Sequence, residues 1–165
     1  MYYRVTFKMK PYAIDVTLRD VAKADLPILF EHQYDPVANR MAAFPPRERD
    51  AFMAHWANIL RDETGIKKAI ILGGKLAGNV VSFERSGQWL LGYWLGREYW
   101  GKGVASAAVA QFLLYETTRP LQAFVAKHNV GSIRVLEKCG FVTAGEGKFT
   151  TAIGDNIEEF IMELK

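Results

Sequence analysis

Apolar and polar positions alternate through residues 13–18 (AIDVTL), the two-residue period of a strand with one buried face. Asp20 then stands where an N-cap is expected for a helix over 22–33, and Asp35-Pro36 breaks that helix. Beyond Pro45-Pro46, the stretch RERDAFMAHWANILRDE brings Phe52, Trp56, Ile59 and Leu60 onto one helical face, and Gly65 ends it. Two strand-like runs, 66–72 and 76–83, meet at Gly73-Gly74, which reads as a hairpin. Ser86-Gly87 turns the chain into WLLGYWL (89–95), whose unbroken apolar character predicts a strand buried on both faces.

A helix is predicted over 103–117, with Val104, Ala108, Phe112 and Tyr115 on its apolar stripe, stopped by Arg119-Pro120. The strand LQAFVA (121–126) follows, then a helix over 130–139 capped by Asn129 and closed by Gly140. Strands near 141–145 and 157–163 complete the order β-α-α-β-β-β-α-β-α-β-β. That order predicts a single α/β domain with a mixed, largely antiparallel sheet flanked by helices.

Composition narrows the picture modestly. At 165 residues, half of them hydrophobic, the chain has enough material for one proper core. No apolar run approaches the roughly 18 residues of a membrane span, so no membrane partner is expected. Residues 1–12 alternate apolar and polar positions and lack the apolar centre of a secretion signal; they read as an extension or an extra strand. The lone Cys139 excludes an internal disulfide and fits a reducing, cytoplasmic setting. A net charge of +3 is too small to mark a nucleic-acid binder.

Candidate chemistry concentrates in GYWLGREYWGKGVASAAV (92–109), where Gly101 and Gly103 stand between a strand and a helix. Two readings stay open on spacing alone. The glycines either form a tight turn or strip away side chains so that the helix's first N–H groups meet an anion, with Lys102 adding charge. Neither usual nucleotide motif is present: residue 106 is Ser where G-x-G-x-x-G needs Gly, and Gly103 follows Lys102 where a P-loop needs Ser or Thr.

A second constellation, HNVGSIRVLEKCGF (128–141), follows the next strand. Together with YWGKGVA, the hairpin GGKLAGNVVSFE and the opening LRDVAKADLP, it resembles the GNAT-superfamily N-acetyltransferases. Within them it is similar to the Rim-type group that acetylates N-terminal amines of ribosomal proteins. The likeness covers residues 13–164. It implies a GNAT-like sheet with splayed central strands, and acetyl-CoA as cosubstrate. Its pyrophosphate would lie on the backbone of Gly101, Lys102, Gly103, Val104 and Ala105. Glu98 stands where the family hinge carries Gln or Arg, with Arg97 one step earlier, so a side-chain contact is in question there. The pantetheine arm would pair with the strand carrying Tyr93, Trp94 and Leu95, near Asn129 and Ser132.

The reaction implied is direct transfer: a neutral amine attacks the thioester, a backbone N–H of residues 93–96 holds the oxyanion, and thiolate leaves. Ser132 is a poor acid, so its expected role is a hydrogen bond to the departing sulfur; a helix-start serine also satisfies backbone groups. Some relatives carry a carboxylate before the last strand, but nothing acidic lies between Glu146 and Asp155. Glu84, at a strand end, is the candidate for ordering a water that deprotonates the amine, against its reading as a surface glutamate paired to Arg85 or a lysine.

Other residues carry less. His32 and His55 lack metal-ligand spacing, and no metal is expected; His128 reads as structural and Cys139 as apolar filler. Trp94 and Trp100 read as packing. Arg134 to Lys138 either reach a ribose phosphate or form a solvated face. Phe44-Pro45-Pro46 falls where relatives shape the acceptor pocket. At pH 7 an α-amine with pKa about 8 is roughly one tenth neutral, and a lysine near 10.4 less than about one part in a thousand. A site without a strong base therefore suits a protein N-terminal α-amine. The alternatives are a small-molecule amine (polyamine, amino acid or antibiotic) or a non-catalytic acyl-CoA-binding module, as a monomer or homodimer.

Overall fold

The computed structural model describes residues 14–165, so the expected extension over 1–12 lies outside the described residues. The elements are β1 (Val16–Asp20), α1 (Leu26–Gln33), α2 (Pro36–Ala42), α3 (Arg49–Arg61), β2 (Lys67–Leu72), β3 (Lys75–Arg85), β4 (Gln88–Leu95), α4 (Val104–Phe112), β5 (Leu121–Ala126), α5 (Val130–Lys138), β6 (Val142–Thr150) and β7 (Asn156–Leu164). Among the described residues, seven strands form one sheet in the order β1-β2-β3-β4-β5-β7-β6. Every neighbouring pair is antiparallel except β4–β5.

Hydrophobic clusters cover both faces of the sheet. On one, Val104, Ala108 and Phe112 of α4 and Leu136 of α5 meet Ile70, Val80, Leu91 and Val125. On the other, Leu26 and Leu29 of α1 meet Phe52 and Trp56 of α3 and Ala69 of β2. The alternation of Ala69 and Ile70 to opposite faces follows from the strand's period.

Four local expectations are corrected. Asp20 caps no helix: it ends β1, and its carboxylate pairs with Lys68 Nζ at 2.7 Å. The capping carboxylate is Asp25, which accepts from Ala22 N (2.8 Å) and from both terminal nitrogens of Arg19 (2.7 and 2.8 Å). Asp35-Pro36 does not only end one helix but starts the next, because Asp35 accepts from Val37 N and proline suits a first helical turn. α4 stops at Phe112 rather than 117. Beyond it Glu116 turns inward to accept from buried Ser82 Oγ and from Thr118 N, which draws the chain off the helical path and leaves Tyr115 half-exposed under Lys68. Finally, β4 is only partly buried: Leu90, Leu91 and Leu95 are covered, while Gly92, Tyr93 and Trp94 are not fully so.

Candidate active site

The one parallel junction creates the site. β4 and β5 are paired only at Trp89–Leu121 and Leu90–Gln122. Past Leu90 the two strands part, and a cleft of about 480 Å³ opens against the starts of α4 and α5 and the flank of α2. The half-exposed stretch of β4 is the part that lines it.

The glycine hinge is a tight turn, and its backbone leaves room for the anion reading. Gly101 and Gly103 hold φ of +70° and +77°, the left-handed region that disfavours side chains. A Cβ built on Gly101 would also meet nothing within 4 Å, so the backbone beside it is open to the cleft. Gly103 is the N-cap of α4, and among the described residues no side chain caps that helix. The start of that helix, the positive end of its dipole, lies at the cleft, with Gly101, Gly103, Val104 and Ala105 among the lining residues. Lys102 is exposed at the turn and does not line the cleft. Arg97 Nε pairs with Asp35 Oδ2 at 2.9 Å, tying the hinge to the start of α2. Glu98 lies near His32, whose imidazole burial holds below its ordinary pKa and which packs so tightly on Gly96 that a Cβ there would come within 2.8 Å.

Asn129 and Ser132 come together at the start of α5 because Asn129 caps it: its Oδ1 accepts from Ser132 N at 3.2 Å. Ser132 Oγ lies 2.5 Å from the hydroxyl of Tyr93. Burial pushes the Tyr93 phenol up to about 12. Trp94, next along β4, points to the other face, where its Nε1 donates to His32 O at 2.9 Å and its ring meets Phe44 edge-on. Leu95 O accepts from Trp100 Nε1 at 3.0 Å, which pins the hinge to the strand end.

Glu84 is not brought to the cleft, which corrects its candidacy as the base. It pairs with Trp89 at the hairpin end of β3, whereas the cleft is lined by Tyr93, Trp94 and Leu95 at the far end of β4. Its carboxylate is exposed and accepts from Gly87 N, stabilising the hairpin turn. Among the described residues, no carboxylate lines the cleft.

Sequence reasoning missed the roof. Ala38, Met41 and Ala42 of α2 line the cleft, and His128 Nε2 lies 3.0 Å from Arg40 O, bridging that helix to the end of β5. The signal was Asp35-Pro36 read as a start. Arg134 and Lys138 also line the cleft, giving it positive charge. Burial holds the Cys139 thiol up at about 11, so it stays protonated, and its Sγ lies 3.7 Å from Ser106 O.

Comparison with known proteins gives the family. The family model for the acetyltransferase (GNAT) domain matches residues 15–142, and the chain belongs to this family. It is an acetyltransferase. An N-acetyltransferase of Bacillus licheniformis, p20, whose own role is uncharacterised, is 29% identical over 150 residues, 81% of this chain and 83% of that protein. A Bacillus subtilis protein, YdaF, whose name assigns it provisionally to the ribosomal N-acetyltransferases, is 27% identical over 110 residues, 61% of this chain and 58% of that protein. Among solved structures, the spermidine N-acetyltransferase of Vibrio cholerae, in complex with CoA and spermine, shares the fold. It has a TM-score of 0.78 at 20% identity and covers 90% of this chain and 94% of that one.

Proposed function

We propose that the protein transfers an acetyl group directly from acetyl-CoA to a primary amine, the α-amine of a protein N-terminus, in the manner of the Rim-type enzymes. The observation that carries this reading is the convergence on one cleft of an uncapped helix start, the unpaired flank of β4 and the Tyr93–Ser132–Asn129 cluster.

Acetyl-CoA supplies an activated thioester. The backbone of Gly101, Gly103, Val104 and Ala105 would hold its pyrophosphate, with Arg134 and Lys138 adding positive charge. Lys102, exposed at the same turn, would contribute charge only from outside the cleft. The β4 backbone at Tyr93, Trp94 and Leu95 would hold the pantetheine amides as an added strand does, because β5 leaves that flank unpaired. Ser132 would donate to the departing sulfur, and a β4 N–H would stabilise charge on the acyl oxygen.

The absence of a lining carboxylate among the described residues supports an acceptor that is already partly neutral. An N-terminal α-amine meets that requirement better than a lysine side chain. YdaF's name points the same way, and the bound spermine of the Vibrio enzyme points to small polyamines. A thioester-cleavage assay over an amine panel decides between them. Turnover is expected with N-terminal peptides above polyamines, amino acids and aminoglycosides. Preference for a small amine would overturn the acceptor assignment, and binding without turnover on any amine would make the protein an acyl-CoA-binding module.

A further inference from the structure

Tyr93 and Ser132 are 39 residues apart in sequence, on β4 and α5, and their hydroxyl oxygens lie 2.5 Å apart. The Tyr93 hydroxyl also lies 3.4 Å from the Ser132 carbonyl oxygen. Two hydroxyl protons are thus available for one short hydrogen bond. If Ser132 donated, the part-buried phenol proton would be left with that long, weak hydrogen bond to the carbonyl alone. If Tyr93 donates, the proton left over belongs to Ser132, which lines the cleft. The second arrangement wastes nothing.

We propose that Tyr93 is a positioning residue for acetyl transfer: its O–H donates to Ser132 Oγ and so turns the serine proton into the cleft, toward the leaving sulfur. The inference rests on the acetyl-transfer reading and adds to it the residue that gives Ser132 its direction. Ser132 is fixed from the other side, since its N–H is held by Asn129 Oδ1. Burial keeps the phenol protonated throughout the working range, and the neighbouring Cys139 thiol is also neutral, so the chain of donors is uncharged until thiolate forms. A hydroxyl that accepts a hydrogen bond is itself a stronger donor, and Tyr93 therefore strengthens as well as aims the Ser132 bond. No net proton transfer from tyrosine is involved; Ser132 shares its proton with the sulfur, the attacking amine loses a proton to water as the amide forms, and the departing thiolate takes one back from solvent.

The test is steady-state kinetics on purified wild-type, Tyr93→Phe, Ser132→Ala and the double variant, with acetyl-CoA and the best amine of the panel. Tyr93→Phe is expected to lower kcat about tenfold with KM for acetyl-CoA unchanged. The double variant is expected to be no slower than Ser132→Ala alone, because Tyr93 acts only through Ser132. An undiminished kcat in Tyr93→Phe overturns the proposal, and so does a double loss equal to the product of the single losses. A rise in KM alone would give Tyr93 a packing role and overturn it equally. Should Tyr93→Phe not fold, 3-fluorotyrosine at position 93 keeps the shape and is a stronger donor: kcat at or above wild type supports the assignment, and a fall contradicts it. A wild-type enzyme inactive on every amine overturns the acetyl-transfer reading itself, an outcome distinct from active wild type with an unaffected Tyr93→Phe.

Discussion

In the proposed acetyl transfer, Gly101 and Ser132 would answer two different demands of the cleft, close approach and leaving-group stabilisation. At Gly101 a φ of +70° coincides with open space for a Cβ, so a variant must separate strain from obstruction. Asn tolerates the left-handed region, and Gly101→Asn is expected to fold with little loss in Tm yet raise the acetyl-CoA Kd about tenfold or more. An unchanged Kd in the folded variant would remove the cradle. Ser132→Ala is expected to lower kcat about ten- to a hundredfold with KM little changed, as a bond that strengthens in the transition state requires; an unaltered kcat would leave Ser132 only its place in the first turn of α5. Away from the cleft, the Arg19 guanidinium and the Ala22 N–H hold the Asp25 carboxyl below the usual carboxylate range. A depressed folded-state pKa gives stability that is complete above the unfolded value, near pH 4, and lost as pH falls through the folded one. Asp25→Asn should therefore flatten the fall of Tm below about pH 4, and an acid limb as steep as wild type's would contradict this.

Among the elements, α2 shows where local reading stops. Its cap and first proline are written in Asp35-Pro36, but that dipeptide also ends helices, and only packing over the cleft shows which use prevails. Asp35→Ala removes both the α2 cap and the Arg97 pair and is expected to cost about 1 kcal/mol, read as a lowered denaturant midpoint; a midpoint equal to wild type's would show that packing alone holds the roof. The hairpin at Gly73-Gly74 and the α5 start at Asn129 were legible because their signals are local: positive φ at the glycines and a side chain reaching three residues on. β6 runs to Thr150 instead of 145 because its outer half is held by cross-strand pairing with β7, down to Thr150–Asn156, which the polar sequence GEGKFT does not announce. The end of α4 depended on buried Ser82, 34 residues before Glu116. Glu84 failed as a base for a similar reason: being at a strand end was readable, but which end meets the cleft was not. The glycine hinge and the Asn129–Ser132 pair could be found in the sequence; their junction with Tyr93 could not.

At the scale of the whole molecule, two cores clamp the sheet from both faces, and the splay between the parallel strands β4 and β5 leaves an open flank that, in the proposed reading, the ligand would pair with. Because no carboxylate lines that cleft among the described residues, the protein is expected to take its acceptor already neutral. Then kcat/KM should rise with pH and level off near the acceptor's own pKa, about 8 for an α-amine. A plateau near pH 6 would instead reveal a base supplied by the protein. The most direct test of the account is calorimetric titration of the protein with acetyl-CoA, with NADH and dephospho-CoA as comparison ligands. Micromolar binding of acetyl-CoA, weaker binding of dephospho-CoA and no binding of NADH are expected; no binding to any of the three would mean that Gly101 and Gly103 only turn the chain.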